Sequence, residues 1–323
     1  MKLGVSYISA FLPQHIEADM KQLKAIGCDE VLFAIQENHI HYLDGAVKYG
    51  AKIAMEQGLT PYACLWGYAN TFGGGRMSKF LFENLDVLCE DRFGRKLPTA
   101  NLNHPKLSEQ LIHYYSVLIE HGFQGVFIDE PTSQVDYSRY SQELYYALFG
   151  EALTYDNNDA KVEQFQRHSI RRYVDRVCGG IKERYPDVKT IVCVMPHDHM
   201  YWRDIAELDS VDVFGTDPYW LFEGHNLTME GAVECARKMK RLCDEIGKAS
   251  QIWLNCWGVE AGREEEIYIG GKKLAEIGCD SLYTWSYLGG LGTNESCDDP
   301  YKAWDSVVRL YRECSGICPA GLF

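Results

Sequence analysis

The chain has 323 residues, 46% of them hydrophobic and 24% charged, which suits a soluble globular protein with a sizeable core, as one large domain or two ordinary ones. Its formal net charge of −14 argues against nucleic acid or an anionic membrane as partner, because phosphate binding draws on clustered Lys and Arg. No apolar run approaches the roughly 18 residues that a membrane span requires.

The opening stretch "MKLGVSYISAFLPQHIEADM" does not read as a signal peptide. Its apolar run is short, Ser6 and Ser9 interrupt it, and no small-residue cleavage site follows. The 12 cysteines are scattered and form no CxxC pair. They are expected to be free thiols buried as small hydrophobes, in a cytoplasmic protein without cofactors.

Along the chain one phrase recurs: a helical segment, a glycine, then a short β-branched or aromatic run. "LKAIGCDEVLFAI", "LIEHGFQGVFID" and "LAEIGCDSLYTW" show it clearly. The glycine stops the helix, and the run that follows reads as a parallel strand buried on both faces. Strands are predicted at 3–8, 30–35, 60–65, 125–129, 190–195, 211–216, 251–257 and 281–285, with helical patterns between them and an amphipathic helix, "DPYKAWDSVVRLYREC", at the close. Eight such units specify an α/β fold, a single (β/α)8 barrel spanning 1–323. An open doubly wound sheet is the alternative, but no Gly-rich phosphate fingerprint follows the first strand. Long loops are expected after strand three, where "GYANTFGGGRM" and "RFGRKLPTANLNHP" lie, and after strand four, through "LFGEALTYDNNDAKVEQF".

Barrels of this kind place their chemistry at the C-terminal ends of the strands. Those ends carry Tyr7 and Ser9; Gln36, Glu37, His39 and His41; Trp66 and Tyr68; Asp129 and Glu130; His197, Asp198 and His199; Asp217, Tyr219 and Trp220; Asn255, Trp257 and Glu260; and Trp285 and Tyr287. Asp129-Glu130-Pro131 is the sharpest signal. A bland account makes Asp129 a helix cap with Pro131 opening the helix, yet that leaves a second acid at the barrel mouth unexplained. Asp217, in "TDPYW", likewise ends a buried strand, although Asp-Pro is also a common turn starter. Two carboxyl groups flanking one bond, one protonated and one ionised, are what glycoside hydrolysis needs. Flat aromatic surfaces suit the C–H faces of sugars, and Trp66, Trp202, Trp220, Trp257 and Trp285 are candidates, each of which could equally be a core residue.

With "FIDEP", "TDPYW" and "YTWSY" after strands four, six and eight, the chain resembles TIM-barrel glycoside hydrolases, over its whole length in architecture and in short motifs by residue. The large retaining clan ends strand four in Asn-Glu-Pro and strand seven in a nucleophilic Glu. Here Asp replaces that Asn, and Asn255 stands near the nucleophile position, with Glu260 further along. Substrate-assisted N-acetylhexosaminidases carry Asp-Glu at the end of strand four. That likeness makes Glu130 the acid and Asp129 the residue that polarises the acetamido group, with Tyr219 or Tyr283 as its partner. In α-galactosidase-like barrels the pair comes from strands four and six, here Asp129 and Asp217.

The expected activity is therefore hydrolysis of an oligosaccharide or glycoside. Glu130, Asp129 and Asp217 are the catalytic candidates. Tyr7, Glu37, His39, Trp66, His197, His199, Tyr219, Trp220, Asn255, Trp257, Glu260 and Trp285 are the substrate-binding ones. Two-carboxyl schemes require Asp217 or Glu260 within about 10 Å of Glu130. One rival is a metal-dependent hydrolase or sugar isomerase built on the His39/His41 and His197/His199 pairs, whose members share a face if extended. Another is a sugar-binding barrel without catalysis.

Overall fold

The computed structural model describes residues 1–8, 12–71, 78–132 and 135–317; Ser9 and the glycine run at 73–75 lie outside them. Ten strands run along the described chain: β1 (Lys2–Tyr7), β2 (Glu30–Ile35), β3 (Thr60–Leu65), β4 (Leu88–Glu90), β5 (Lys96–Ala100), β6 (Gly125–Asp129), β7 (Lys189–Cys193), β8 (Val213–Thr216), β9 (Ala249–Asn255) and β10 (Ser281–Trp285). Eight of them close into a barrel in the order β1-β10-β9-β8-β7-β6-β3-β2, every neighbouring pair parallel. This is a (β/α)8 barrel. Its strands are the eight predicted ones: β2, β3, β6 and β10 keep the predicted ends, and β1, β7, β8 and β9 shift at an end by one or two residues.

The helix–glycine–strand phrase works through backbone conformation. Gly27, Gly122 and Gly278 sit at φ +100°, +109° and +79°, a region that L side chains rarely enter. Two departures from the expected loops stand out. The excursion after β3 folds into a short helix, Lys79–Glu83, and the antiparallel β4–β5 hairpin. Asp91 makes that hairpin: its Oδ1 accepts the Phe93 and Arg95 amides at 2.9 Å each while Gly94 takes φ +76°. The stretch after β6 is mostly helical, Arg139–Phe149 followed by Asp159–Arg184.

Inside the barrel, inward side chains stack in layers. At the N-terminal end Tyr283 donates to Glu30 at 2.7 Å and Tyr62 donates to the same carboxyl at 3.3 Å. Two glycines make room for these rings. A Cβ on Gly4 would lie 2.3 Å from the Tyr283 ring, and one on Gly125 would lie 2.7 Å from the Tyr62 ring. Above them Trp253 packs against Tyr283 at 4.9 Å and Phe127 at 5.3 Å. Among the described residues no helix is long and apolar enough to cross a membrane.

Candidate active site

At the opposite end of the barrel a cavity of about 500 Å³ opens where the strands finish. Its walls include Asp129, Glu130, Asp217, Tyr219, Trp66, Trp253, Trp257 and Trp285. Successive residues of a strand point to opposite faces, so Asp129 and Glu130 could not share a cavity if β6 simply continued. Glu130 breaks the alternation with φ +41°, and its amide donates to the Cys193 carbonyl at 3.0 Å. This left-handed turn brings both carboxyl groups to the mouth, a strain of the kind found at functional positions. Neither Asp129 nor Asp217 caps a helix. The helices that follow them begin at Arg139 and Met229, behind Ser138 and Thr228.

Glu130 and Asp217 share a hydrogen bond between their carboxyl groups, from the ends of β6 and β8. Burial first, and then the neighbouring Asp217, hold the Glu130 pKa well above the usual carboxylate range. Burial likewise raises Asp217 to about 7, against the opposing pull of its hydrogen bonds from Glu130 and the Cys193 thiol. Asp129 is also raised, by burial and by Glu130 beside it. The result is a proton-sharing pair, Glu130 holding its proton longest and Asp217 releasing one near neutrality. Environments that push two carboxyls apart in this way assign one as acid and the other as base or nucleophile.

Three tryptophans form one wall. Trp66 lies 6.1 Å from Trp257 and 5.8 Å from Trp285, while Trp257 and Trp285 are 6.2 Å apart, all in tilted or edge-on contact. His225 and Glu295 also line the cavity, and the strand-end search missed both because they sit on irregular segments well past β8 and β10. His225 stacks on Tyr219 with ring centroids 5.3 Å apart and planes 7° from parallel, and its Nδ1 accepts the Tyr219 amide at 3.3 Å. Burial lowers its pKa to about 4, so it is neutral with its proton on Nε2.

The remaining predicted binding residues lie elsewhere. Tyr7 points outward from β1 and donates to Asp19 at 2.7 Å. Glu37 accepts the Phe80 amide at 2.6 Å, tethering the excursion after β3. His39 caps its own helix by accepting the Gln36 amide at 3.0 Å. Trp220 fills the space beside Gly270, where a Cβ would lie 2.2 Å from its ring. Glu260, His197 and His199 are exposed and outside the cavity lining. Asn255 is fully buried, with neither side-chain atom hydrogen-bonded. Tyr283, a proposed acetamido partner, is engaged with Glu30 at the far end.

The two histidine pairs do not converge. Among the described residues the group suited to a metal is Glu130, Asp217 and His225, whose ligand atoms lie within 4.8 Å of one another. Two carboxylates and an imidazole form a donor set that fits zinc or manganese.

Fold and site together define a (β/α)8 barrel with a carboxyl-lined, tryptophan-walled cavity at the strands' C-terminal ends. Its structural neighbours are TIM-barrel glycoside hydrolases. The β-galactosidase from the Antarctic haloarchaeon Halorubrum lacusprofundi superposes with a TM-score of 0.73 at 13% identity, over 100% of this chain and 59% of that one. The β-galactosidase from the psychrophilic Marinomonas ef1 gives 0.72 at 11%, over 97% and 59%. The catalytic domain of β-amylase from Paenibacillus polymyxa gives 0.67 at 8%, over 95% and 98%. At these identities the likeness is one of fold, and the chain spans about three-fifths of the β-galactosidases it matches. No family model and no curated protein matches the sequence.

Proposed function

We propose that the protein is a glycoside hydrolase acting on a carbohydrate O-glycoside. The observation that carries this reading is the half-buried Glu130 hydrogen-bonded to the buried Asp217, facing a cavity walled by Trp66, Trp257 and Trp285. Glu130 is the general acid, delivering its proton to the leaving oxygen. Asp217 is the ionised partner that meets the developing positive charge at the anomeric carbon, as nucleophile or stabiliser. Carboxyls in contact leave no room for the water that inverting enzymes hold across about 6.5–9.5 Å, and so sit nearer the roughly 5–5.5 Å of retaining enzymes. Retention on this pair requires an entering sugar to part the two carboxyls to that distance. Asp129, beside Glu130, helps keep the acid protonated.

Substrate-assisted cleavage of an N-acetylhexosaminide is the finer alternative within this reading. It uses Glu130 with Asp129 and makes Asp217 dispensable, so turnover of aryl N-acetylhexosaminides by Asp217→Asn separates the two routes. The primary test is Glu130→Gln on a panel of aryl glycosides. Loss of about 10²–10⁴ in kcat is expected for poor leaving groups, with a much smaller loss for activated ones. Undiminished turnover of poor leaving groups would sink the assignment. A purely sugar-binding barrel would turn over nothing and keep its affinity in the same variant. The Glu130–Asp217–His225 cluster favours a second reading, a metal-dependent hydrolase; loss of activity on dialysis against chelator, restored by zinc or manganese, would select it.

A further inference from the structure

We infer that Cys256 and Cys297 form a paired-thiol site, which hydrogen peroxide converts to a disulfide fastening the loop after β10 to the end of β9. The inference is independent of the glycosidase reading. Cys256 follows the last residue of β9 and precedes Trp257 of the cavity wall, and Cys297 lies just beyond Glu295, another wall residue. The backbone brings the two together. The Gly258 amide donates to the Glu295 carbonyl at 2.8 Å, and the Asp298 amide donates to the Val259 carbonyl at 3.0 Å. Gly289 spans both cysteines: its carbonyl accepts the Cys297 amide at 2.9 Å, and its amide donates to the Cys256 sulfur.

The two thiols are hydrogen-bonded to each other, and among the described cysteines no other pair is. Their roles differ. The Cys256 thiol and the Val259 amide both donate to the Cys297 sulfur and hold its pKa below the usual thiol value, against the effect of burial. Cys256 is held well above that value, first by the same hydrogen bond and then by burial. Cys297 is therefore the nucleophile and Cys256 the resolving thiol. The Cys297 thiolate attacks one peroxide oxygen, the O–O bond breaks, and the departing hydroxide takes the thiol's proton to become water. Cys256 then attacks the sulfenic sulfur, forming the S–S bond, and the second oxygen leaves as water with the Cys256 proton. The two sulfurs lose two electrons, and one peroxide is reduced to two waters. With Cys256 0% and Cys297 3% exposed, the site suits a small oxidant, which enters by brief opening of the exposed and half-buried turn at 291–296.

The test is peroxide treatment of the folded full chain, then alkylation in denaturant, digestion and mass spectrometry. The expected result is a Cys256–Cys297 peptide as the dominant disulfide, reopened by dithiothreitol. Cys256→Ser should stop at a sulfenic acid on Cys297, trapped by dimedone at about tenfold the level in the parent. The closed form should exchange its amide hydrogens more slowly across 291–296 than the reduced form, and should melt no lower. Both thiols still open to alkylation after a dose that oxidises the exposed Cys314, or a different dominant pair, overturns the inference. So does a closed form with faster exchange or a lower melting temperature, because the loops would then have to move in order to meet. If Cys256→Ser does not fold, the linked peptide and the exchange of the parent decide the matter.

Discussion

The Glu130 carboxyl from the end of β6 is hydrogen-bonded to the Asp217 carboxyl from the end of β8, and neither group is ionised as an ordinary surface acid would be. The proposed hydrolysis needs the first protonated and the second charged. Because Asp217 is pushed up to about 7 and Glu130 lies well above its usual range, kcat/KM for a neutral aryl glycoside should climb through about pH 7 and fall at higher pH. A pH–rate profile checks this. A plateau extending down to pH 4 would show that Asp217 ionises like an exposed acid.

The same shift makes stability depend on pH. A carboxyl that titrates near 4 when unfolded and about 7 when folded favours the native state in acid, and that advantage is lost as pH rises through 7. Asp217→Asn has no charge to bury. It should melt a few degrees above the parent at pH 8, and the difference should close by pH 4, where both side chains are neutral. Equal destabilisation at both pH values in thermal melts would refute the buried-charge account.

Glu130 also holds a backbone conformation that costs a non-glycine residue about 1–2 kcal/mol. Both Glu130→Gly and Glu130→Ala remove the acid, but only the former relieves the turn at φ +41°. Urea unfolding should place the glycine variant about 1 kcal/mol above the alanine variant. The reverse order would mean the turn is not held in the folded protein.

Gly4 and Gly45 give opposite expectations for one change. At Gly4 an added methyl meets the Tyr283 ring at 2.3 Å, whereas at Gly45, in the helix Asp44–Glu56, it meets nothing within 4 Å. Gly4→Ala should cost about 3 kcal/mol by overpacking. Gly45→Ala should gain about 0.5 kcal/mol from helix propensity. Chemical denaturation of the two variants tests the tightness of the barrel's interior.

The barrel was legible because each unit repeats the same local logic, a glycine that ends a helix and an apolar run that must be buried on both faces. Asp129, Glu130 and Asp217 were legible because this topology sends strand ends to one rim. Tyr7 shows where that reasoning runs short: it ends β1, but it shares the outward parity of Leu3 and Val5, so it packs on Asp19 and Tyr287 instead of entering the cavity. Alternation along the strand was the available signal. His225 and Glu295 left no such signal, since irregular segments carry no periodicity, and only the folded path brings them to the cavity that holds the carboxyl pair. The hairpin at Asp91–Gly94 was written in turn chemistry, but its polar strands read as loop.

The tyrosine layer gripping Glu30 has a consequence for traffic. With Tyr62 and Tyr283 both buried across the lumen's far end, the barrel axis is plugged there by described residues. No polymer can thread along that axis, so whatever enters the cavity and whatever leaves it pass on the side of the strands' C-terminal ends. The departing piece and the newcomer therefore share one face of the barrel.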